Sequence, residues 1–126
     1  METTYKKIKT DVGFIGAKRN AIYLDFIKQH GNVLDMMGEI NSQWCEKKTN
    51  KYKWYGYHLT IEGVKEYQAI NIEDFYKKSI NTESAFSEII NITDNKADVK
   101  TIILETYDWA YIITCRSFEL LITGCR

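Results

Sequence analysis

Apolar positions are densest in the last quarter of the chain, where three clusters of strand length lie at 102–104, 109–113 and 118–122. The clusters are rich in β-branched and aromatic residues, which suit a pleated surface. The breaks between them, Tyr107-Asp108 and Arg116-Ser117, are short and polar, as tight turns are. We therefore predict a C-terminal three-stranded antiparallel meander that forms the core sheet.

Helical spacing of apolar residues marks the first third of the chain. Tyr23, Phe26 and Ile27 fall on one helical face, and Gly31 can end a helix that spans 17–30. A helix in this position would cover the sheet with its apolar face.

A second helix is predicted over 32–45, because Asn32 is placed as an N-cap and apolar side chains keep one face nonpolar. A competing prediction makes 40–45 a strand that turns through 47–51 and pairs with 52–60. The sequence leaves both open.

Two strands are predicted in the middle of the chain. The aromatic segment 52–61 alternates as a strand does, Glu62-Gly63 suits a turn, and 64–69 suits a return strand. We predict that these two strands pair as a hairpin.

Charge placement predicts a short helix over 72–80. Asn71 precedes it, Glu73 and Asp74 lie in its first turn, and lysines lie in its last, which matches the helix dipole.

A further helix is predicted to begin at Asn81 or Thr82, and the polar stretch 93–98 is a loop to the terminal sheet. The inward residues of this last predicted helix are Ala85, Phe86, Ile89 and Ile90.

Together the predicted elements indicate an α+β fold in which an antiparallel sheet with a C-terminal three-stranded meander packs against several helices. The length suits one globular domain over residues 1–126.

The charge of the chain is balanced overall and split along its length. Seventeen basic and seventeen acidic residues cancel, which argues against a nucleic-acid binder held by a basic surface. Residues 1–65 hold eleven Lys and Arg against seven Asp and Glu, whereas 66–126 hold six against ten. Such a split can steer a charged partner.

The cysteines and the chain start bear on the compartment. Three cysteines with no C-x-x-C pair suit reduced thiols. The first residues lack the apolar core of a signal peptide, and no run approaches membrane-spanning length. We expect a cytoplasmic protein without membrane contact.

Residue types that carry catalysis are present, but not at working spacing. His30 and His58 stand at no recognised ligand spacing from a cysteine, and the pair Glu73 and Asp74 is accounted for by the helix dipole. We expect no enzyme activity, no metal, no cofactor and no small-molecule substrate.

Segment 44–57 interleaves lysines with Trp and Tyr, the mixture that grips single-stranded nucleic acid through charge and base stacking. The alternative interpretation is that the aromatic residues, which include Trp54, Tyr55 and Tyr57, face inward and the lysines form a solvated turn. A small nucleic-acid-binding module is the second functional hypothesis.

The acidic surplus of the second half can form a surface for a cationic protein, because several of its carboxylates belong to elements near the terminal sheet. We expect exposed aromatic residues beside it to act as apolar anchors. The predicted partner-binding residues are Glu73, Asp74, Glu83, Glu88, Trp109 and Tyr111.

The segment 105–114, which continues through 120–124, resembles the C-terminal end of small bacterial immunity proteins of polymorphic toxin systems, including contact-dependent growth-inhibition immunity proteins. The resemblance covers about 25 residues and consists of a meander with an acidic residue before Trp or Tyr. It implies a protein that binds a cognate toxin domain, commonly a nuclease, over its active site and has no activity itself. The near-neutral charge departs from the strongly acidic members and leaves the toxin type open.

Overall fold

The computed structural model describes residues 4–7, 9–10, 13–14, 22–41, 54–78, 85–90 and 99–125. Within these ranges the chain is built from strands and one short helix. The strands are β1 Thr4–Lys7, β2 Lys9–Thr10, β3 Gly13–Phe14, β4 Ile22–His30, β5 Val33–Asn41, β6 Trp54–Glu62, β7 Glu66–Asn71, β8 Phe86–Ile90, β9 Lys100–Glu105, β10 Trp109–Cys115 and β11 Ser117–Cys125, and the helix is α1 Ile72–Tyr76.

The strands form two main antiparallel sheets. One has five strands in the order β1-β8-β9-β10-β7, the other has four in the order β11-β6-β5-β4, and β2 pairs with β3 as a separate ribbon. Alternate side chains of both sheets meet in one core, and burying each Leu or Ile there stabilises the fold by about 1.5–3 kcal/mol. The core includes Ile22, Leu34, Met36, Ile40, Tyr57, Leu59, Ile61, Phe86, Ile102, Leu104, Tyr111, Ile113 and Cys115.

Two strands pass from one sheet to the other at a shared corner. β6 pairs with β11 in the four-stranded sheet, and their continuations β7 and β10 pair in the five-stranded sheet. Gly63, at φ 64°, lies at the bend, and the Arg116 amide donates a 3.0 Å hydrogen bond to the Glu62 carbonyl. Folding a paired ribbon over in this way brings its two inner faces together.

The outer face of the five-stranded sheet is covered by α1. Ile72 and Phe75 of the helix pack on Ile103 and Ala110. The side chain of Asn71 accepts a 3.0 Å hydrogen bond from the Glu73 amide, which satisfies one of the free amides at the helix start. The predicted Asn71-capped helix is therefore confirmed over Ile72–Tyr76, but it is shorter than the predicted 72–80, and no lysine lies in its last turn.

The predicted α+β fold with several helices is wrong. The predicted helix 17–30 is strand β4 over Ile22–His30, and the predicted helix 32–45 is strand β5 over Val33–Asn41. The helix predicted from Asn81 or Thr82 is strand β8 over Phe86–Ile90. Residues 17–21, 42–53, 79–84 and 91–98 lie outside the described residues, and the loop predicted at 93–98 lies with them.

Two irregularities explain why β4 and β5 resemble helices in sequence. A bulge between Leu24 and Phe26 shifts the register of β4, so its apolar residues do not alternate with period two. In β5 one of the inward positions is Gly38, so an apolar side chain is missing from the alternating pattern at that position. Both features turn a strand pattern into one that also fits helical spacing.

Two of the predicted strand pairings are also wrong, although the strands themselves exist. β6 and β7 belong to different sheets, so the hairpin predicted at Glu62-Gly63 does not form. β9 and β10 pair around the predicted Tyr107-Asp108 turn, but β11 leaves them and pairs with β6. The competing prediction of a strand at 40–45 that pairs with 52–60 is confirmed at Ile40 and Asn41, which pair with β6, and residues 42–45 lie outside the described residues.

Candidate binding face

The outer face of the four-stranded sheet carries exposed apolar side chains on three of its strands, β4, β5 and β11. Phe26 is 46% exposed, Met37 is 36% exposed and Leu121 is 50% exposed. Side chains directly opposite on neighbouring strands lie about 5 Å apart, so this row is continuous. The row, which we call the apolar row, consists of Phe26, Met37, His58 and Leu121, each directly opposite the next.

A polar row runs beside the apolar row and is centred on Asp35. The Asp35 carboxylate is 2.6 Å from His30 Nε2 and 2.7 Å from His58 Nε2, and it accepts a 3.3 Å hydrogen bond from the Thr60 hydroxyl. The side chain of Asp35 is only 17% exposed. The residues of this row, each directly opposite the next, are Lys28, Asp35, Thr60 and Glu119.

The hydrogen bonds of this cluster have a defined direction. Because an ionised carboxylate only accepts, Nε2 of each imidazole is the donor to Asp35. Hydrogen bonds from His30 and then His58 hold the pKa of Asp35 below its ordinary value. The cluster therefore ties β4, β5 and β6 together through one carboxylate.

The same cluster lacks the geometry of a nucleophilic triad. The Thr60 hydroxyl lies 3.3 Å from His58 Nε2, the nitrogen that also contacts Asp35. A triad needs the nucleophile and the acid on opposite nitrogens of the imidazole. We therefore assign His30, Asp35 and His58 a structural role on this face.

An open cleft of about 350 Å³ lies at the other end of the face, and its lining includes Tyr23, Asp25, Glu39 and Trp54. The Tyr23 and Trp54 rings meet edge to face at 5.2 Å between centroids, with 65° between their planes. Tyr107 stacks on Tyr23 at 5.3 Å. These contacts fix the aromatic wall of the cleft.

The β4 bulge that shapes this cleft depends on a glycine. A Cβ placed at Gly38 would collide with the backbone carbonyl of Tyr23, so only glycine lets β4 approach β5 this closely. The Tyr57 hydroxyl, on the strand beyond Gly38, donates a 3.1 Å hydrogen bond to the same carbonyl. Burial raises the pKa of Tyr57, which keeps this hydroxyl protonated.

Carboxylates outnumber cations on the described part of this face. Only Lys28 contributes a permanent positive charge among the outward residues that the structure describes. The described part of the face is therefore negative at neutral pH. Its acidic residues are Asp25, Asp35, Glu39, Glu62 and Glu119.

The acidic residues predicted to bind a partner do not share a surface. Glu73 and Asp74 lie on α1, outside the five-stranded sheet, where Asp74 Oδ1 is 3.9 Å from Lys77 Nζ. Glu88 lies on β8 on the side of the core residue Phe86, the opposite face of that sheet. Glu83 lies outside the described residues.

The two predicted aromatic anchors differ in exposure. Trp109 is 43% exposed at the start of β10, whereas Tyr111 is 9% exposed and packs in the core. Hydrogen bonds between Thr106 and the backbone of Trp109, at 2.7 and 3.1 Å, fix the turn before Trp109. Because it is buried, Tyr111 cannot contact a partner in the folded protein.

Residues 44–53 of segment 44–57 lie outside the described residues. Trp54 points outward beside the cleft, while Tyr55 and Tyr57 are opposite the core positions Ile40 and Gly38 and point inward. The interpretation of inward aromatic residues therefore holds for Tyr55 and Tyr57.

Nothing in the described part of the chain groups three or more His, Cys, Asp or Glu side chains in a way that could hold a metal ion. Cys115 is buried, and burial raises the pKa of its thiol to about 11, with Glu88 adding to the shift and Lys100 opposing it. A reactive thiolate is thus disfavoured at Cys115.

The sequence prediction missed Phe26, Met37, Leu121 and Glu39 as surface residues. The helices predicted over 17–30 and 32–45 would place Phe26 and Met37 on apolar faces that cover the sheet. The alternation of Leu34, Met36 and Ile40 was the available signal, because it places the residues between them on the opposite side of a strand.

The chain matches no protein family model, no curated protein and no solved structure. Within the residues described, no helix is long and apolar enough to cross a membrane.

Proposed function

We propose that this chain is a binding protein without catalytic activity that captures a cationic protein domain on the outer face of its four-stranded sheet. The activity that fits best is that of an immunity protein, which neutralises a toxin domain by covering its active site. The observation that carries the proposal is the exposed apolar row bordered by carboxylates.

The apolar row has the features of a protein contact surface. Single exposed apolar residues are common, but Phe26, Met37 and Leu121 stand in one line across the sheet, with His58 between Met37 and Leu121. Met37 at the middle of the line can adapt its unbranched side chain to a partner. Such a row supplies affinity through apolar burial.

The charge of the face indicates the kind of partner. Carboxylates such as Glu39 and Glu119 attract a positive surface and speed its approach. A nuclease domain must present cations to its phosphodiester substrate, so a negative face can occupy the same place. This complementarity supports a toxin of the nuclease class.

The proposed contact surface on the four-stranded sheet differs from the one predicted from sequence. Glu73 and Asp74 on α1 can add to the long-range field, but they lie on the other sheet. The nucleic-acid hypothesis gains no support, because a negative face repels phosphates and Trp54 is the single described aromatic residue of segment 44–57 that points outward.

The proposal is tested in bacterial cells that express the C-terminal domain encoded by the gene immediately upstream. Co-expression of the wild-type chain should restore growth. The double variant Phe26→Ser/Leu121→Ser should fail to restore it, whereas Tyr67→Ser should restore it, because Tyr67 is 40% exposed on the edge of the other sheet.

Two results would overturn the proposal. One is continued growth arrest with the wild-type chain although both proteins are made. The other is full growth with the double variant, which would show that the apolar row plays no part in neutralisation.

A further inference from the structure

The cleft at the end of the face combines two kinds of group that attract organic cations. Tyr23 and Trp54 contribute aromatic rings, and Asp25 and Glu39 contribute carboxylates. Aromatic rings attract a cation through their quadrupole, by about 0.5–2 kcal/mol according to desolvation. Carboxylates add charge-assisted hydrogen bonds.

The two carboxylates are not paired with a lysine or arginine of the described residues. Lys28, the permanent cation among the described outward residues, stands opposite Asp35 in the polar row.

The wall residue Tyr23 is held in place by two neighbouring tyrosines. Tyr107, itself 45% exposed, stacks on the Tyr23 ring, and the Tyr57 hydroxyl donates a hydrogen bond to the Tyr23 carbonyl. The bulge over Gly38 then fixes the strand from which Asp25 projects. A site whose walls are fixed in advance loses little entropy on binding.

The position of the cleft connects it with the apolar row. Asp25 precedes Phe26 on β4, and Glu39 lies two residues beyond Met37 on the same side of β5. A protein seated on the apolar row would therefore extend over the cleft.

Arginine fits this combination better than lysine. Its guanidinium is planar, stacks on an aromatic ring and donates in the plane to two carboxylate oxygens at once. Lysine offers a compact charge that is more strongly hydrated.

We propose that the cleft formed by Tyr23, Asp25, Glu39 and Trp54 receives one arginine side chain of the protein partner. This inference rests on the proposed function for the identity of the partner. The chemistry of the cleft can be tested without the partner.

The test is an NMR titration of the isolated chain with N-acetyl-L-arginine amide, observed at the indole N–H of Trp54 and assigned with Trp54→Phe. The neutral isostere N-acetyl-L-citrulline amide and the lysine derivative are titrated in parallel. The arginine compound should give a saturable shift, and binding of the citrulline compound should be at least about tenfold weaker. The lysine compound should bind between them.

The variant Asp25→Asn/Glu39→Gln keeps the shape of the cleft and removes its charge. It should weaken arginine binding by about tenfold or more, whereas Glu119→Gln on the far side of the face should leave it unchanged. Equal shifts with arginine and citrulline, or equal binding by the variant and the wild type, would overturn the inference.

The outcome is separable from that of the growth assay. Arginine binding together with failed neutralisation would contradict the proposed function and leave the cleft as a guanidinium site. Neutralisation by a chain that does not bind the arginine compound would contradict the inference and leave the proposed function standing.

Discussion

The hydroxyl of Tyr57 donates a 3.1 Å hydrogen bond to the backbone carbonyl of Tyr23, across the glycine that lies between them in the four-stranded sheet. This bond anchors the irregular part of an edge strand to a central strand. Because Tyr23 and Asp25 line the cleft, the same bond connects the core with the candidate binding face.

Removing this hydroxyl should destabilise the protein. Tyr57→Phe leaves the ring in the core but deprives the Tyr23 carbonyl of its donor, which should lower the free energy of unfolding by about 1 kcal/mol. Urea unfolding of the variant beside Tyr67→Phe, whose ring is on an exposed edge, provides the comparison. Equal losses in the two variants would argue against a role for the bond.

Gly38 and Gly31 should respond differently to asparagine. Gly31, at φ 63°, has nothing within 4 Å of an added Cβ, so it needs only a residue that accepts the left-handed region, which asparagine does. Gly38 faces backbone, and an added Cβ must displace β4. We expect Gly38→Asn to cost about 2 kcal/mol or more and Gly31→Asn less than about 1 kcal/mol. Similar midpoints of thermal unfolding for the two variants would contradict this.

The contribution of Asp35 to stability should depend on pH in a defined direction. Its pKa in the folded protein is lowered, so its stabilisation is complete above the unfolded value near 3.8 and is lost as the pH falls through the lower folded value. Asp35→Asn should therefore reduce the free energy of unfolding by about 1 kcal/mol at neutral pH, since the hydrogen bonds to the charged form are lost. The difference from wild type should shrink at about pH 2.

Urea unfolding of both proteins across this pH range measures the effect. A difference that stays constant from neutral pH to about pH 2 would mean that Asp35 does not gain its stabilisation from ionisation. Thr60→Val is a suitable control, because it removes a partner without changing the titrating group.

Charge reversal distinguishes the two placements of the acidic contact. Glu39→Lys/Glu119→Lys changes the outer face of the four-stranded sheet, and Glu73→Lys/Asp74→Lys changes α1 by the same charge. The first variant should slow association with the toxin domain by about tenfold at low salt and less at high salt. The second should slow it less. The reverse order of on-rates, measured by surface plasmon resonance, would place the contact at α1.

Local signals in the sequence predicted local structure correctly. Asn71 before Glu73 and Asp74 predicted a capped helix, because capping and the helix dipole act within one turn. Tyr107-Asp108 predicted the turn between β9 and β10. The apolar clusters of the last quarter predicted three strands, since each cluster fits the length of a strand.

These local signals could not predict which strands pair when the strands are far apart in sequence. Ser117 lies opposite Glu62, and nothing between them in sequence specifies that contact. The chain bends at Gly63, so β7 pairs with β10 instead of the predicted β6, and β11 pairs with β6 instead of the predicted β10. The bulge near Asp25 also breaks the alternation of apolar and polar residues in β4. The sequence therefore predicts a helix there, with the exposed Phe26 on its buried side.

The candidate site was hidden for the same reason. His30 and His58 converge on Asp35 only after β4, β5 and β6 align in register. Their spacing in sequence matches no known ligand pattern. The cleft forms only because Tyr23 and Trp54 come into contact between strands of one sheet. A prediction that makes the Tyr23 segment a helix does not bring these two residues together.

The proposed binding face is tested most directly by calorimetric titration of the purified C-terminal domain encoded by the gene immediately upstream, the proposed toxin, with wild type, Phe26→Ser/Leu121→Ser and Tyr67→Ser. Truncation of two anchors at an interface centre costs about 1–2 kcal/mol each, so the double variant should bind about 100-fold more weakly. Tyr67→Ser should bind as the wild type does. An unchanged dissociation constant for the double variant, or an equal loss in Tyr67→Ser, would contradict binding through the outer face of the four-stranded sheet.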